Sequence, residues 1–174
     1  MSSEGRGIYN SRYLSIAYCT IYNNIGGNSG GGGICNGGTL SIFHNTISNN
    51  STSSEGGGIF NWGTLNIDDS NIFGNTAAHG GGVYNNATST ITSSTINNNF
   101  ADSYGGGIRN GGTLTLHEST ISNNDADCGG GIRNDDMVTI NSSIISDNFA
   151  RFFSCEYEID PSKRPKLVIT YYIP

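Results

Sequence analysis

The residues able to do chemistry are few and scattered. Three carboxylate pairs stand close in sequence: Asp68/Asp69, Asp125/Asp127 and Asp135/Asp136. A glycosidase needs two carboxyls roughly 5–10 Å apart around the scissile bond. Asp68/Asp69 and Asp135/Asp136 are immediate neighbours, so on a strand their side chains face opposite sides. Asp125 and Asp127 read as members of a corner loop, with no basic residue in register beside them. Arg133 and Asp135 share a strand face and read as a surface ion pair. A metal-dependent lyase would need stacked acids next to an Arg or Lys, and a calcium-binding Gly-Gly-x-Gly-x-Asp repeat would need an Asp that the Gly runs here lack. No catalytic residue, metal ligand or cofactor is therefore expected. His44, His79 and His117 align with no partner in the adjoining repeats and read as solvated surface groups. Cys19, Cys35, Cys128 and Cys155 lack the C-x-x-C spacing of a zinc site. Cys128 and Cys155 are 27 residues apart, close to one repeat, yet free thiols are the default expectation for all four.

The elements that would position these residues come from a repeat. A Gly run followed by an aliphatic residue recurs at Ile8, Ile34, Ile59, Val83, Ile108 and Ile132, with spacings of 26, 25, 24, 25 and 24 residues. Two residues after each aliphatic comes Asn: Asn10, Asn36, Asn61, Asn85, Asn110 and Asn134. An alternating pair follows, from Leu14/Ile16 to Val138/Ile140, broken only by Ser89 before Ile91. A lone Ile comes five residues later, and a second Asn three beyond it: Asn24, Asn50, Asn75, Asn99, Asn124 and Asn148. Within each segment apolar and polar residues alternate, which is strand periodicity. One such coil cannot bury its apolar face, whereas stacked coils can. The fold expected is all-β: a right-handed parallel β-helix of about six coils of 24–26 residues, three short strands per coil, with inward Asn ladders at the corners. Handedness follows the rule for parallel connections. The repeats span residues 1–150; residues 151–174 lose the Gly runs and read as a C-terminal cap or tail.

Composition sets bounds on partners. The chain has 174 residues, a net charge of −6 and eight Lys plus Arg. Four of those basic residues (Arg151, Lys163, Arg164 and Lys166) lie in the last 24, so there is no basic stripe for nucleic acid. No apolar run is long enough to span a membrane as a helix. The first residues, Met1-Ser2-Ser3-Glu4, hold no apolar h-region; the expectation is a fragment of a longer chain, or one whose signal has been removed.

The Gly-Gly-Gly-Ile and Ile-x-x-Asn elements, best formed in GGGIRNGGTLTLHESTISNN from Gly105 to Asn124, resemble the GG[ALVI] and FxxN repeats of polymorphic outer-membrane proteins. They are also similar to secreted bacterial and archaeal parallel β-helix repeats. The resemblance covers about residues 5–150. It implies a secreted or cell-surface location and the β-helix fold; Ile stands where that family's second motif has Phe.

Two outward surfaces stand out. The position after each Gly-run aliphatic reads Tyr9, Cys35, Phe60, Tyr84, Arg109 and Arg133, and two residues on come Trp62, Asn86 and Asp135. Phe60, Trp62, Tyr84, Arg109 and Arg133 should form an exposed aromatic-basic stripe, a candidate contact for glycan or another protein. A Thr/Ser array, with Thr88-x-Thr90 and Thr113-x-Thr115 as its best members, resembles the face of ice-binding solenoids, although exposed strands favour Thr in any case. The function expected is a non-enzymatic structural or adhesive module. Polysaccharide binding or lyase-like cleavage is the first alternative and ice binding the second. The open coil ends and the tail leave room for end-to-end or tail-mediated self-association.

Overall fold

The computed structural model describes residues 7–151 and, for the main chain only, 166–170. The first coil runs through β1 (Ile8–Asn10), β2 (Tyr13–Ala17), β3 (Thr20–Tyr22) and β4 (Ile25–Gly26). The equivalent strands of the next five coils stack on these in parallel and build four sheets, here called A, B, C and D after β1, β2, β3 and β4. Sheets A, C and D have six strands each. Sheet B has seven, because the strand Lys166–Thr170 pairs in parallel with Met137–Asn141 of the sixth coil. Among the described residues there is no helix. The chain is a parallel β-solenoid.

The coil has four strands where the alternation suggested three. The extra one, sheet D, points Gly26, Thr52, Ala77, Ala101 and Ala126 inward, all buried. These small side chains give no aliphatic signal, so the segment reads as a corner in sequence. Asp125 and Asp127 accordingly lie in the strand Asp125–Cys128 and not in a loop.

Register is in phase along sheets A, B and C and shifts in sheet D, between Ala77 and His79 and between Ala101 and Tyr104. Ile34, Ile59, Val83 and Ile108 lie over one another in sheet A, and Ile47, Ile72, Ile96 and Ile121 in sheet C. All eight of these rungs are fully buried. Stacking equivalent aliphatics removes their area from water at roughly 25 cal/mol per Å², which no isolated coil achieves.

Three side-chain ladders satisfy the corners. In the first, each Asn Nδ2 donates to the Oδ1 of the next coil, from Asn10 to Asn36 at 2.7 Å through Asn110 to Asn134 at 2.7 Å. In the second, Asn24, Asn50, Asn75, Asn99, Asn124 and Asn148 do the same at 2.8–3.0 Å. Here each Oδ1 also accepts the backbone N–H of the Asn one coil before, as Asn75 does from Asn50 at 2.9 Å. The third ladder has no single residue type: the N–H groups of Cys19, Asn45, Ser70, Ser94 and Ser119 donate to the side-chain oxygens of Asn45, Ser70, Ser94, Ser119 and Ser143. Buried backbone groups need such partners. Ser89, the gap in the Leu column, donates its hydroxyl to Asn85 Oδ1 at 2.7 Å and so joins the first ladder.

Left-handed backbone makes the bends. Tyr18, His44, Asp69, Ser93, Glu118 and Ser142 form one column with φ of 44–55°, and Asn23, Asn49, Gly74, Asn98, Asn123 and Asp147 a second. The third bend is the Gly run. A Cβ on Gly57 would lie 2.5 Å from the Gly81 carbonyl oxygen and 2.6 Å from that of Thr76, so successive coils meet too closely there for any side chain.

The expected boundary at the tail falls mostly on residues 152–165 and 171–174, which lie outside the described residues. A cavity of about 450 Å³ opens at this end, lined by Ile132, Val138, Ile140 and Ile145 with Asn134 and Asn148. Its walls are the last rungs of the core ladders.

Candidate functional site

Sheet A turns one column of its strands inward and the neighbouring column outward. Tyr9, Cys35, Phe60, Tyr84, Arg109 and Arg133 occupy the outward column in register, as the spacing required. Their packing differs from a set of free faces. Phe60 meets Tyr84 edge-on at 5.3 Å between centroids and meets Trp62 at 4.9 Å. Tyr9 reaches Trp62 at 6.3 Å, bridging over Cys35. Cys35 itself is fully buried: a Cβ on Gly31 would come within 2.8 Å of its own Cβ, and one on Gly30 within 2.7 Å of the Phe60 ring. The glycine bend of the second coil thus folds across the stripe. Phe60, Tyr84, Arg109 and Arg133 are half-buried, and Trp62, at 39%, is the exposed large side chain among the five. The stripe was expected to be exposed throughout. The rings meet edge to face, the arrangement their quadrupoles favour over a face-to-face sandwich, and each covers part of its neighbour.

The basic end is held by a carboxylate. Asp135 accepts from Arg133 Nε at 2.9 Å and from Arg109 Nε at 3.0 Å. The expected Arg133–Asp135 pair is present, with Arg109 added from the coil before. Burial alone would raise the Asp135 carboxyl, but the hydrogen bonds from Arg133 and Arg109, with their charges, hold it below its ordinary value.

Tyr104 joins the column from outside it. The Arg109 and Arg133 guanidinium carbons lie 5.4 and 5.3 Å from its ring centroid, and Arg109 also sits 5.4 Å from that of Tyr84. His79 stacks on Tyr104 at 5.2 Å. Glu55, His79, Tyr104 and Cys128 are bridge partners in adjoining coils, each just before a Gly run. That common placement is the signal by which the sequence would have revealed them. Burial, then the charge of Arg109, lowers the His79 pKa; Glu55 and Asp102 oppose this without reversing it. The result is a column of rings and guanidiniums along the solenoid axis, from Tyr9 through Trp62, Phe60, Tyr84, Arg109 and Tyr104 to Arg133.

Three further expectations change. Asp125 and Asp127 do have a basic partner: Arg151 Nε lies 3.4 and 3.3 Å from their carboxylates, with its guanidinium 4.8 Å from the Phe100 ring centroid. His44 is not isolated, since its Nδ1 is 2.8 Å from Asp69, the next member of its corner column. Cys128 is disulfide-bonded, against the default of free thiols, whereas Cys19 and Cys35 are in no disulfide; Cys155 lies outside the described residues. Among the described residues, no three His, Cys, Asp or Glu side chains gather closely enough to hold a metal, and no helix is long and apolar enough to cross a membrane. The Thr positions of sheet B are in register across the second to fifth coils, with Phe43, Asn66, Asp68 and His117 interrupting the face.

Comparison with known proteins finds no matching family model, no matching curated protein and no matching solved structure.

Proposed function

We propose that the chain is a non-enzymatic structural or adhesive module of an extracellular or cell-surface protein, contacting glycan or a partner protein through the sheet A column. The observation that carries this reading is the column itself: aromatic and guanidinium groups continue across the coils on one outer face, with Trp62 exposed in their midst. Trp and Arg are the side chains most enriched in binding hot spots. The rings are held in place by one another and lose little freedom on contact. The disulfide at Cys128 supports an oxidising compartment.

Cleavage of polysaccharide is a second reading, favoured by Asp125, Asp127 and Arg151, which bring two carboxylates, a guanidinium and the Phe100 ring together on sheet D. One experiment separates the two. The purified chain is incubated with a panel of acidic and neutral polysaccharides, following co-sedimentation and polymer length. Binding without shortening, weakened about tenfold or more by Trp62→Ala, supports the module. Shortened polymer, lost in Asp125→Asn or Asp127→Asn, replaces it with an enzyme. Neither binding nor shortening removes the glycan partner.

A further inference from the structure

Four Asn residues open an Asn-x-Ser/Thr triplet with no Pro in the middle: Asn49, Asn50, Asn86 and Asn141. This is the acceptor pattern for an N-linked glycan. The fold sorts the four. Asn50 is fully buried in the second ladder, where its amide donates to the Ile21 carbonyl and to Asn75 Oδ1, both at 3.0 Å. A sugar on that nitrogen is incompatible with the ladder. Asn49 is exposed but leans on the next bend, since a Cβ on Gly74 would lie 2.5 Å from its Oδ1. Asn141 is half-buried in a strand that is paired on both sides.

Asn86 differs from all three. It lies at the bend between the strands Val83–Asn85 and Thr88–Thr92 of the fourth coil, and both it and Thr88 are exposed. Its backbone N–H donates to the Asn61 carbonyl at 2.8 Å, whereas its side-chain amide has no hydrogen bond among the described residues. The same backbone bond fixes Gly37, Trp62, Gly111 and Asp135 in the other coils, so the five share one column. On both sides of Asn86 this column is open. The Trp62 indole turns away over Gly37, where a Cβ would meet its Nε1. Gly111 has no side chain, and a Cβ there would lie 3.1 Å from Asn86 Oδ1 and 3.8 Å from the Asn85 carbonyl oxygen, with nothing else within 4 Å. Members of this column reach the side chain two residues before them. Trp62 meets Phe60 at 4.9 Å between centroids, and Asp135 accepts from Arg133 Nε at 2.9 Å. A group on Asn86 is thereby directed to Tyr84, half-buried on the same outer face.

We propose that Asn86 is the acceptor of an N-linked glycan whose first sugar lies against Tyr84 in the gap between Trp62 and Gly111. The inference rests on the extracellular reading above, because the transfer acts on exported chains. The donor is an oligosaccharide carried on a lipid diphosphate, brought by a membrane transferase. The Asn86 amide nitrogen bonds to the anomeric carbon of the first sugar. The bond from that carbon to the phosphate oxygen breaks, the lipid diphosphate leaves with the electron pair, and a base of the transferase takes the amide proton. Nothing is oxidised or reduced. Thr88 supplies the hydroxyl of the triplet, and the Tyr84 ring gives the apolar face of the sugar a surface on which to leave water. The glycan then shares the outer face of sheet A with Trp62, one coil away.

The test sends the full chain, fused to a signal peptide, through a eukaryotic secretory route. The exported protein is mapped by mass after treatment with the amidase that removes N-glycans and leaves Asp in place of the modified Asn. Asn86 should read as Asp in most chains and Asn50 in none. Asn86→Gln and Thr88→Ala should each lose that glycan and still be exported. Trp62 is the chain's single Trp, so iodide should quench its fluorescence less in the glycosylated chain than in Asn86→Gln. Exported chain with Asn86 unmodified, sugar found at Asn50, or equal quenching in the two proteins would each overturn the proposal and leave the module reading standing. Retention of wild type and Asn86→Gln alike as unfolded chain inside the cell would sink the extracellular reading, and this proposal with it.

Discussion

Tyr84 and Asn85 are neighbours in one strand and face opposite sides of sheet A. The Asn85 column is Asn in all six coils and is tied by one repeated hydrogen bond. The Tyr84 column changes at almost every coil, from Tyr to Cys to Phe to Tyr to Arg. The inner column is constrained by burial: from Asn10 to Asn110 each Asn is buried and bonds groups along the interior of the corner. The outer column has no such constraint, and what it displays is specific to this chain. Uniformity along a solenoid thus marks what holds the coils together, and variation marks what the coils present.

Breaking the inner side should have the largest effect. Asn75 donates to the Ile47 and Phe73 carbonyls and to Asn99, and accepts from the N–H and the amide of Asn50. Asn75→Ala leaves several of these buried without partners, at about 1–3 kcal/mol each. The expected loss is at least about 3 kcal/mol in urea unfolding, in contrast to the smaller effects below.

Asp135→Asn acts on the outer side and should cost about 1–2 kcal/mol at neutral pH, toward the low side of the roughly 1.5–3 kcal/mol for a hydrogen bond to a charged group because the ion pair is partly exposed. Its pH dependence sharpens the comparison. The Asp135 carboxyl is held below its ordinary value in the fold, so the stability it contributes is present above the unfolded pKa near 4 and is lost as pH falls through the folded value. The difference between wild type and Asp135→Asn should shrink in acid below about pH 4. A constant difference would mean that the carboxylate charge is not what matters.

The smallest effect is expected at His79. Its pKa is lowered in the fold, so the unfolded chain takes up the proton first and stability declines as pH drops below about 6.5. His79→Phe retains a ring against Tyr104 and should flatten that decline, a change of under about 1 kcal/mol read from melting between neutral and mildly acid pH.

The same contrast explains what the sequence made legible. Gly-run spacing, the two Asn columns and the aliphatic alternation foretold the stacked coils and the register. The third ladder was hidden because Asn45 and the serines from Ser70 to Ser143 do one job with two residue types. Sheet D was hidden because its inward residues are Ala, Thr or Gly. On the outside, alignment placed Phe60, Tyr84, Arg109 and Arg133 in one column, yet it said nothing of how rings pack, and the column proved half-buried. Tyr104 and His79 escaped because the register shifts in the strands that carry them. The partner of Asp125 and Asp127, Arg151, lies one coil on, where the repeat is already fading.

One paired measurement goes to the centre of this account: urea unfolding and polysaccharide co-sedimentation of wild type, Asn75→Ala and Trp62→Ala in parallel. The account predicts that Asn75→Ala loses stability and, while folded, keeps binding, whereas Trp62→Ala keeps most of its stability and loses binding. Loss of both properties in both variants, or Trp62→Ala bound as tightly as wild type, would contradict it.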